Sequence, residues 1–331
     1  MSALQVEEQA GERLGAARVA AASRLRPVAD RLLLPVQVLV LLAMTGTIVT
    51  KVWQDHIWLG FVLVAAAAVV WLPEMWRPRA RRWWFAYVAG TFAYALLRSY
   101  ADETGIPVRV MYPIDADRML FFDTVPVSWL QSHYFSPGHI DALDWLAVGV
   151  HWSFFVAPHA AAVAVFIWRR QYFARYTVLM LGTLYLGLVL FFLFPTAPPW
   201  FAGRMGVLPG AYRVMDFVGG QVDMETYRTF YQSLGEPNSV AAMPSIHMGV
   251  TFAMYLWART HYPRVAIPLL FYSVAMGLSL MYLAEHYALD LLVGMACAFV
   301  CHIASTRLIR VPGEAGGAAG ESGARTPAFD S

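Results

Sequence analysis

Long apolar runs separated by short polar breaks dominate the pattern of the chain. A helix needs about 20 apolar residues to cross the hydrocarbon core of a bilayer, and several runs reach that length. Eight spans are predicted, at 33–53, 57–73, 83–100, 145–168, 176–194, 244–258, 266–285 and 289–309. The pattern therefore predicts an all-α, polytopic integral membrane helical bundle with about eight transmembrane helices.

The sixth predicted span, 244–258, is short for a crossing. At about 1.5 Å per residue its helix covers only part of a hydrocarbon core of about 30 Å. We therefore expect the start of this span to lie recessed below the outer interface. A polar residue at that point would form the floor of a recessed site.

The composition supports a membrane environment. Hydrophobic residues make up 59% of the chain and charged residues 14%, so a water-soluble globule could not bury the apolar surface. The net charge of +2 and the dispersed basic residues argue against a nucleic-acid partner. Cys297 and Cys301 lie one helical turn apart within one apolar run, which indicates packing residues and no disulfide framework.

The arginines predict an orientation. With a cytoplasmic N-terminus, every connection on the cytoplasmic side carries arginine, whereas the long outer segment 101–144 is rich in Asp and Glu. We therefore expect a multi-pass cell-membrane protein with both termini in the cytoplasm. The second long connection, 195–243, also lies outside in this arrangement.

The predicted spans and their orientation divide the chain into four segments. They are a cytoplasmic N-terminal segment 1–30, two extra N-terminal transmembrane helices within 31–82, a catalytic membrane domain 83–311 with a six-helix core, and a disordered cytoplasmic tail 312–331.

Two short motifs carry the candidate chemistry. His286 and Asp290 are four residues apart at the start of the eighth span, so on a helix they share one face and the carboxylate can accept the imidazole N–H. His247 follows Pro244, a usual residue in a first helical turn, at the start of the sixth span. Both histidines are thus expected at outer helix ends, and the three side chains should converge.

This set of side chains suits phosphoryl transfer. A histidine held by a carboxylate can attack phosphorus and carry the group as phosphohistidine, while the second histidine protonates the leaving oxygen. The hydroxyl of Ser245 and the first amides of its helix could bind the phosphoryl oxygens. Zinc held by the two histidines and Asp290 is the metal alternative, but few further ligands have suitable spacing. We expect neither a metal nor another cofactor.

The motifs resemble those of a known family. Pro244-Ser-Ile-His247 with Gly249, and His286-Tyr-Ala-Leu-Asp290 with Gly294, resemble the second and third signature motifs of the type 2 phosphatidic acid phosphatase superfamily. Its members are membrane lipid-phosphate phosphatases and phosphotransferases. The segments Phe194–Trp200 and Ser279–Tyr287 are similar to the inositol phosphorylceramide synthase branch. The resemblance covers roughly residues 110–305 and implies a lipid phosphotransferase as readily as a phosphatase.

The chain departs from the phosphatases in its phosphate-binding residues. Their first motif needs a lysine, but the only lysine here is Lys51, and Leu280 replaces the arginine of the third motif. An arginine fork matches phosphate oxygens well, so outer arginines are the expected substitutes. The candidates are Arg98, Arg204, Arg213 and Arg228, with Trp200 shaping the pocket.

The predicted substrate is a membrane lipid phosphate. The acceptor is left open between water and an alcohol such as an inositol-like polyol. The alternative from a different class is a non-enzymatic lipid-headgroup binder or transporter that uses the same pocket. We expect His151 and His159, eight residues apart in the fourth span, to bond neighbouring helices rather than a head group. The sequence makes no prediction of oligomeric state.

Overall fold

The computed structural model describes residues 78–98, 105–222 and 242–311, together with Leu39 and Leu42. The chain divides into two compact units, Met1–Arg77 and Pro78–Ser331. In the first unit only Leu39 and Leu42 are described, both helical and exposed. Apart from these two, the predicted segment 1–30, the predicted spans 33–53 and 57–73 and the predicted tail 312–331 lie outside the described residues.

The described part of the second unit is all-helical. It contains α1 (Pro78–Arg98), α2 (Met111–Leu120), α3 (Pro126–Tyr134), α4 (Ala142–Ser153), α5 (Ala157–Trp168), α6 (Arg170–Leu193), α7 (Pro199–Arg204), α8 (Val214–Val222), α9 (Ile246–His261), α10 (Pro263–Tyr282) and α11 (Ala288–Leu308). The described residues form no β-strand, only isolated bridges between Arg109 and Thr196 and between Ser136 and His139.

Six predicted spans correspond to helices of this unit. Helices α6, α10 and α11 are each long and apolar enough to cross a membrane, and α4 with α5 makes a fourth crossing if the pair is one span. That pair is bent by 44°, where one straight helix was predicted over 145–168. Pro158, in the first turn of α5, has no N–H to continue the hydrogen bonds of α4. The predicted all-α polytopic membrane fold is confirmed.

Helix α9 occupies the middle of the bundle. It packs against α6, α10 and α11, while α6 also contacts α1 and α5. It is only 16 residues long, in keeping with the short sixth span. The outer faces of α10 and α11 expose large apolar side chains, including Phe271 at 71% and Val300 at 57%. Such faces suit contact with lipid rather than water.

The short helices α2, α3, α7 and α8 come from the two long predicted outer connections. Helix α2 packs on α11, α3 on α10 and α8 on α4. A buried apolar cluster joins α2, α3 and α7 to the turn between α10 and α11, and it includes Ile114, Val127, Trp200, Ala284 and Tyr287. The short helices therefore cover the end of the bundle where both histidine motifs lie.

Candidate functional site

Ser245 begins the helix that carries His247. Its backbone is extended (φ −70°, ψ 109°), and its hydroxyl oxygen accepts the N–H of Met248 at 3.3 Å. This is an N-cap, which satisfies one of the free donors in the first turn. Ser245 is fully buried. The hydroxyl group that was predicted to bind phosphate therefore already caps α9 in this structure.

The turn before α11 carries His286. Two main-chain hydrogen bonds end helix α10. The N–H of Glu285 donates to the carbonyl oxygen of Leu280 at 3.0 Å, and the N–H of Ala284 donates to the carbonyl oxygen of Met281 at 3.1 Å. Ala284 has a φ of 59°, in the left-handed region that commonly terminates helices. The chain turns at this point and presents His286 just before α11.

Asp290 lies four residues after His286, and its carboxylate faces the His286 ring. Its Oδ2 accepts the N–H of Tyr287 at 2.8 Å and is 3.5 Å from Nδ1 of His286. Both side chains are buried. The 3.5 Å separation is at the outer limit for a hydrogen bond, and such catalytic contacts often tighten when substrate binds. The structure thus brings together the predicted His–Asp pair.

The two motifs are held against each other by the main chain. The N–H of Ser245 donates to the carbonyl oxygen of Asp290 at 2.9 Å. Gly249 and Gly294 face each other at the same crossing, where a β-carbon at Gly294 would overlap the carbonyl oxygen of Ser245. As a result the rings of His247 and His286 lie 5.9 Å apart between centroids. The predicted convergence of His247, His286 and Asp290 is present.

A third histidine lies behind His247. The ring of His151, buried in α4, is 4.7 Å from that of His247 between centroids, and Phe154 is 4.3 Å away on the same helix end. His159 instead shares a hydrogen bond with the hydroxyl of Tyr87 in α1 at 2.9 Å. The expected contact with a neighbouring helix therefore holds for His159, whereas His151 adjoins the site.

Arg213 is linked to the turn that carries His286. Its Nε donates to Glu285 at 2.8 Å, and both side chains are largely buried, at 8% and 13% exposure. Its guanidinium lies 4.9 Å from the ring centre of Trp200. Arg204 also lies over Trp200 but is 62% exposed and pairs with Asp216 at 2.8 Å. Of these two arginines, Arg213 is the one tied to the residue next to His286.

The other arginines have different positions. Arg98, partly buried at the end of α1, is near enough for its charge to act on the rings of His247 and His151. Arg228 lies outside the described residues. Sequence reasoning passed over Arg109, which is exposed and stacks on Phe194 while its main chain pairs with Pro195 and Ala197. No motif in the sequence marks Arg109.

A cavity of about 410 Å³ opens beside this arginine pair. Its walls include Trp200, Arg204, Arg213 and Asp216, so cationic and acidic groups both reach it. The hydroxyl of Tyr112, in α2, contacts that of Thr196 at 2.6 Å, and burial raises the pKa of the phenol to about 12. His247 and His286 are not among the residues that line the cavity.

Asp117 is a second site residue that the sequence did not reveal. It is fully buried in α2, and its carboxylate accepts the N–H groups of Ala288 at 3.1 Å and Leu289 at 3.0 Å. Burial raises the pKa of this carboxyl to about 6, with the charge of Asp290 acting in the same direction and the two N–H donors opposing it. One acid among several in a long outer segment gave no signal in the sequence.

In the part of the chain that the structure describes, no group of three or more His, Cys, Asp or Glu residues could hold a metal ion. The site offers a histidine whose Nδ1 faces a carboxylate and a second histidine whose Nδ1 lacks a hydrogen-bond partner among the described residues. These groups can supply a nucleophile and a proton donor.

Comparison with known proteins relates the chain to a family. The family model described as the PAP2 superfamily matches residues 114–304, more than half of the chain. The inositol phosphorylceramide synthase catalytic subunit of Schizosaccharomyces pombe is 29% identical over 179 residues, covering 52% of this chain and 42% of the relative. The inositol phosphorylceramide synthase of Candida albicans is 29% identical over 163 residues, covering 47% and 34%.

A bacterial relative is also similar. The phosphoinositol dihydroceramide synthase of Bacteroides thetaiotaomicron is 26% identical over 136 residues, covering 40% of this chain and 45% of the relative. The chain thus matches less than half the length of each of these three curated relatives. No solved structure matches the chain significantly.

Proposed function

Because the chain belongs to the PAP2 superfamily and resembles its inositol phosphorylceramide synthase branch, we propose that it is a membrane lipid phosphotransferase. It moves a phosphoryl group or a phosphorylated head group from a lipid donor to an alcohol or to water. The single observation that carries the proposal is the pair of facing histidines, His247 and His286, 5.9 Å apart with Asp290 beside the second.

The first half-reaction uses His286 as nucleophile. Asp290 holds the proton on Nδ1, so the lone pair of Nε2 attacks phosphorus and the bond from phosphorus to the lipid oxygen breaks. His247 gives its proton to that oxygen, and the donor leaves as a neutral alcohol. The group remains on His286 as a phosphohistidine.

The second half-reaction reverses these roles. His247, now without its proton, takes the proton of the acceptor hydroxyl, whose oxygen attacks phosphorus. The bond from phosphorus to Nε2 breaks, which restores both histidines and releases the product. Water in place of the alcohol would make the same site a phosphatase.

Arg213 and Arg98 stabilise the phosphoryl oxygens in this proposal. Arg213 is tied through Glu285 to the turn that carries His286, and the charge of Arg98 acts on His247. Charged donors fixed in a partly buried site stabilise developing negative charge far better than solvated ones. These two arginines replace the lysine and arginine that the phosphatases carry.

The relatives' names describe an inositol phosphate joined to ceramide. We propose a product of the same kind, a polyol phosphate on a lipid alcohol. It forms by transfer of a polyol phosphate head group from a donor lipid to a lipid alcohol, with the donor's own alcohol as leaving group. Transfer of a phosphoryl group from a lipid phosphate to a free polyol would instead release a water-soluble polyol phosphate. In either route the site opens to the non-cytoplasmic face of the cell membrane.

The test is turnover by the full-length protein purified in detergent. It should be offered phosphatidylinositol with ceramide, phosphatidic acid with free inositol, and each lipid alone, with products identified by mass spectrometry. Label in the lipid-bound inositol separates head-group transfer from acceptance of free inositol. In the arms with one lipid alone, release of inositol phosphate or of inorganic phosphate reports water as acceptor.

His286→Ala is the control, because no neighbouring group can replace the nucleophile. Turnover should disappear in this variant while the protein still folds. His247→Ala should be severe with a natural lipid but milder with a good leaving group that needs no proton. Lipid binding without turnover in the wild type would favour the binder or transporter instead.

A further inference from the structure

Asp117 makes the main-chain contacts that begin α11. Its two carboxylate oxygens each accept one N–H, from Ala288 and Leu289, across 171 and 172 residues of sequence. Asp290 accepts the preceding N–H, that of Tyr287. Two carboxylates thus occupy three consecutive free donors of this helix end, the positions where anions are most stabilised.

This arrangement determines where His286 can be. Before His286 the chain is fixed to α10, because the N–H of His286 donates to the carbonyl oxygen of Leu280. After His286 the chain is fixed to α2, because the N–H of Ala288 donates to Asp117. Asp117 belongs to α2 and fixes them from outside the motif. It also occupies the amides of Ala288 and Leu289, which leaves phosphate to be bound elsewhere.

We propose that Asp117 is a positioning residue for His286 and Asp290, acting through the first turn of α11. The inference rests on the proposed phosphotransferase function. Asp117 does not touch the reacting atoms. Its ionised carboxylate keeps two N–H groups bound at once, which a neutral carboxamide in its place cannot do because its nitrogen is only a donor.

The electrostatics agree with a residue kept for function. The titratable groups near the carboxylate are Asp290 of α11 and Tyr287, whose pKa is raised by burial so that the phenol stays neutral. Since folding raises the pKa of Asp117 from 3.8 to about 6, the protonated form stabilises the fold at acidic pH. That contribution is lost as pH rises toward 6, so the ionised form costs stability near neutral pH.

The test compares Asp117→Asn with a matched control, Asp144→Asn. Asp144 is also a buried carboxylate at a helix start, where it accepts the N–H of Asp141 at 2.7 Å and the hydroxyl of Tyr282 at 2.6 Å. Full-length variants are assayed with the donor and acceptor that the wild type uses. Thermal unfolding and the fraction folded are measured in the same samples.

We expect Asp117→Asn to lower kcat per folded molecule by at least about tenfold, with KM changed little. Its Tm near neutral pH should stay close to that of the wild type, because the lost hydrogen bond is offset by removal of a buried charge. Asp144→Asn should show the opposite pattern, a lower Tm with kcat per folded molecule retained.

The pH profile is a readout that a purely structural role would not move. Below pH 6 the wild-type kcat/KM should fall as Asp117 becomes protonated, and this contribution to the acid limb should be absent in Asp117→Asn. Asp117→Glu keeps both acceptors and should recover part of the lost kcat. It also serves as the folded variant if Asp117→Asn does not fold.

Two results would overturn the inference. One is a kcat per folded molecule within about threefold of the wild type in Asp117→Asn, or in Asp117→Glu if the Asn variant does not fold; the other is an acid limb unchanged by the Asn substitution. A wild type without turnover on any lipid would instead contradict the proposed function and is recognised before any variant is made.

Discussion

The main-chain N–H of Ser245 donates to the carbonyl oxygen of Asp290 at 2.9 Å, so the two histidine motifs are joined through their backbones. The positions of the side chains on either side of this hydrogen bond depend on its geometry. His247 follows Ser245 by two residues and His286 precedes Asp290 by four. The distance between the two rings is therefore fixed by how closely α9 and α11 approach.

Gly294→Ala tests this approach directly. The added β-carbon would overlap the carbonyl oxygen of Ser245, so α9 and α11 must separate. We expect a loss of about 1–3 kcal/mol in the free energy of unfolding and a fall in kcat on the order of 10²-fold. Gly149→Ala in α4 is the control, because a β-carbon there meets open space. Equal kcat in both variants would show that the crossing does not set the geometry of the histidines.

Asp290→Asn should keep the shape of the first turn of α11 but lose the charge that holds the proton on Nδ1 of His286. By analogy with other oriented histidines, kcat should fall by about 10²- to 10⁴-fold. Single-turnover measurement of phosphohistidine formation separates this effect from product release. A near-normal rate of formation would make Asp290 a capping residue only.

Arg213 and Arg204 form a natural comparison, since both lie over Trp200 and only Arg213 reaches Glu285. Arg213→Ala should lower kcat by about 10²- to 10³-fold if its guanidinium stabilises phosphoryl oxygens. Arg204→Ala should change kcat by less than about threefold, because its ion pair is exposed.

Removal of Arg213 also leaves Glu285 buried without its ion-pair partner, which lowers stability. Activity must therefore be expressed per folded molecule. The double variant Arg213→Ala with Glu285→Gln removes both charges. If that double variant regained full activity, Arg213 would be a structural partner of Glu285.

The side of the membrane on which the site lies can be measured by thiol labelling. Ser132 in α3 and Arg264 in α10 are both exposed and belong to opposite predicted faces. On intact cells an impermeant reagent should label Ser132→Cys and not Arg264→Cys, while permeabilised cells should give both signals. Cys297 and Cys301 are buried and should contribute little background. The reverse labelling would put the site on the cytoplasmic face.

Turnover should persist after exhaustive chelation, because the proposed stabilising charges belong to arginines and the nucleophile needs no metal-bound water. The measurement is kcat with chelator and then with Mg²⁺, Mn²⁺ or Zn²⁺ restored singly. Activity that vanishes with chelator and returns with one ion would require His247, His286 and Asp290 to be reconsidered as ligands.

The sequence predicted the parts of this molecule that depend on local spacing. The helices that correspond to the six predicted spans over 83–309, and the meeting of His247, His286 and Asp290, follow from apolar periodicity and from two short motifs. The bend before Pro158 was missed because the hydropathy of 145–168 is continuous and the missing N–H of one proline does not alter it.

Contacts between distant segments could not be derived in the same way. Asp117 and Ala288 are 171 residues apart, and no spacing rule connects a helix in an outer segment with the start of α11. The choice among arginines depended likewise on the tertiary pairing of Arg213 with Glu285, because each candidate is equally cationic.

Ala284 gives the site one further property through its φ of 59°. A residue with a β-carbon holds this conformation at a cost of about 1–2 kcal/mol, so its surroundings must impose it. Its carbonyl accepts the N–H of Trp200 at 3.0 Å, and its side chain is fully buried. The backbone leading into His286 is thus preorganised, so in the proposed transfer the reorganisation should fall on the lipid rather than on His286.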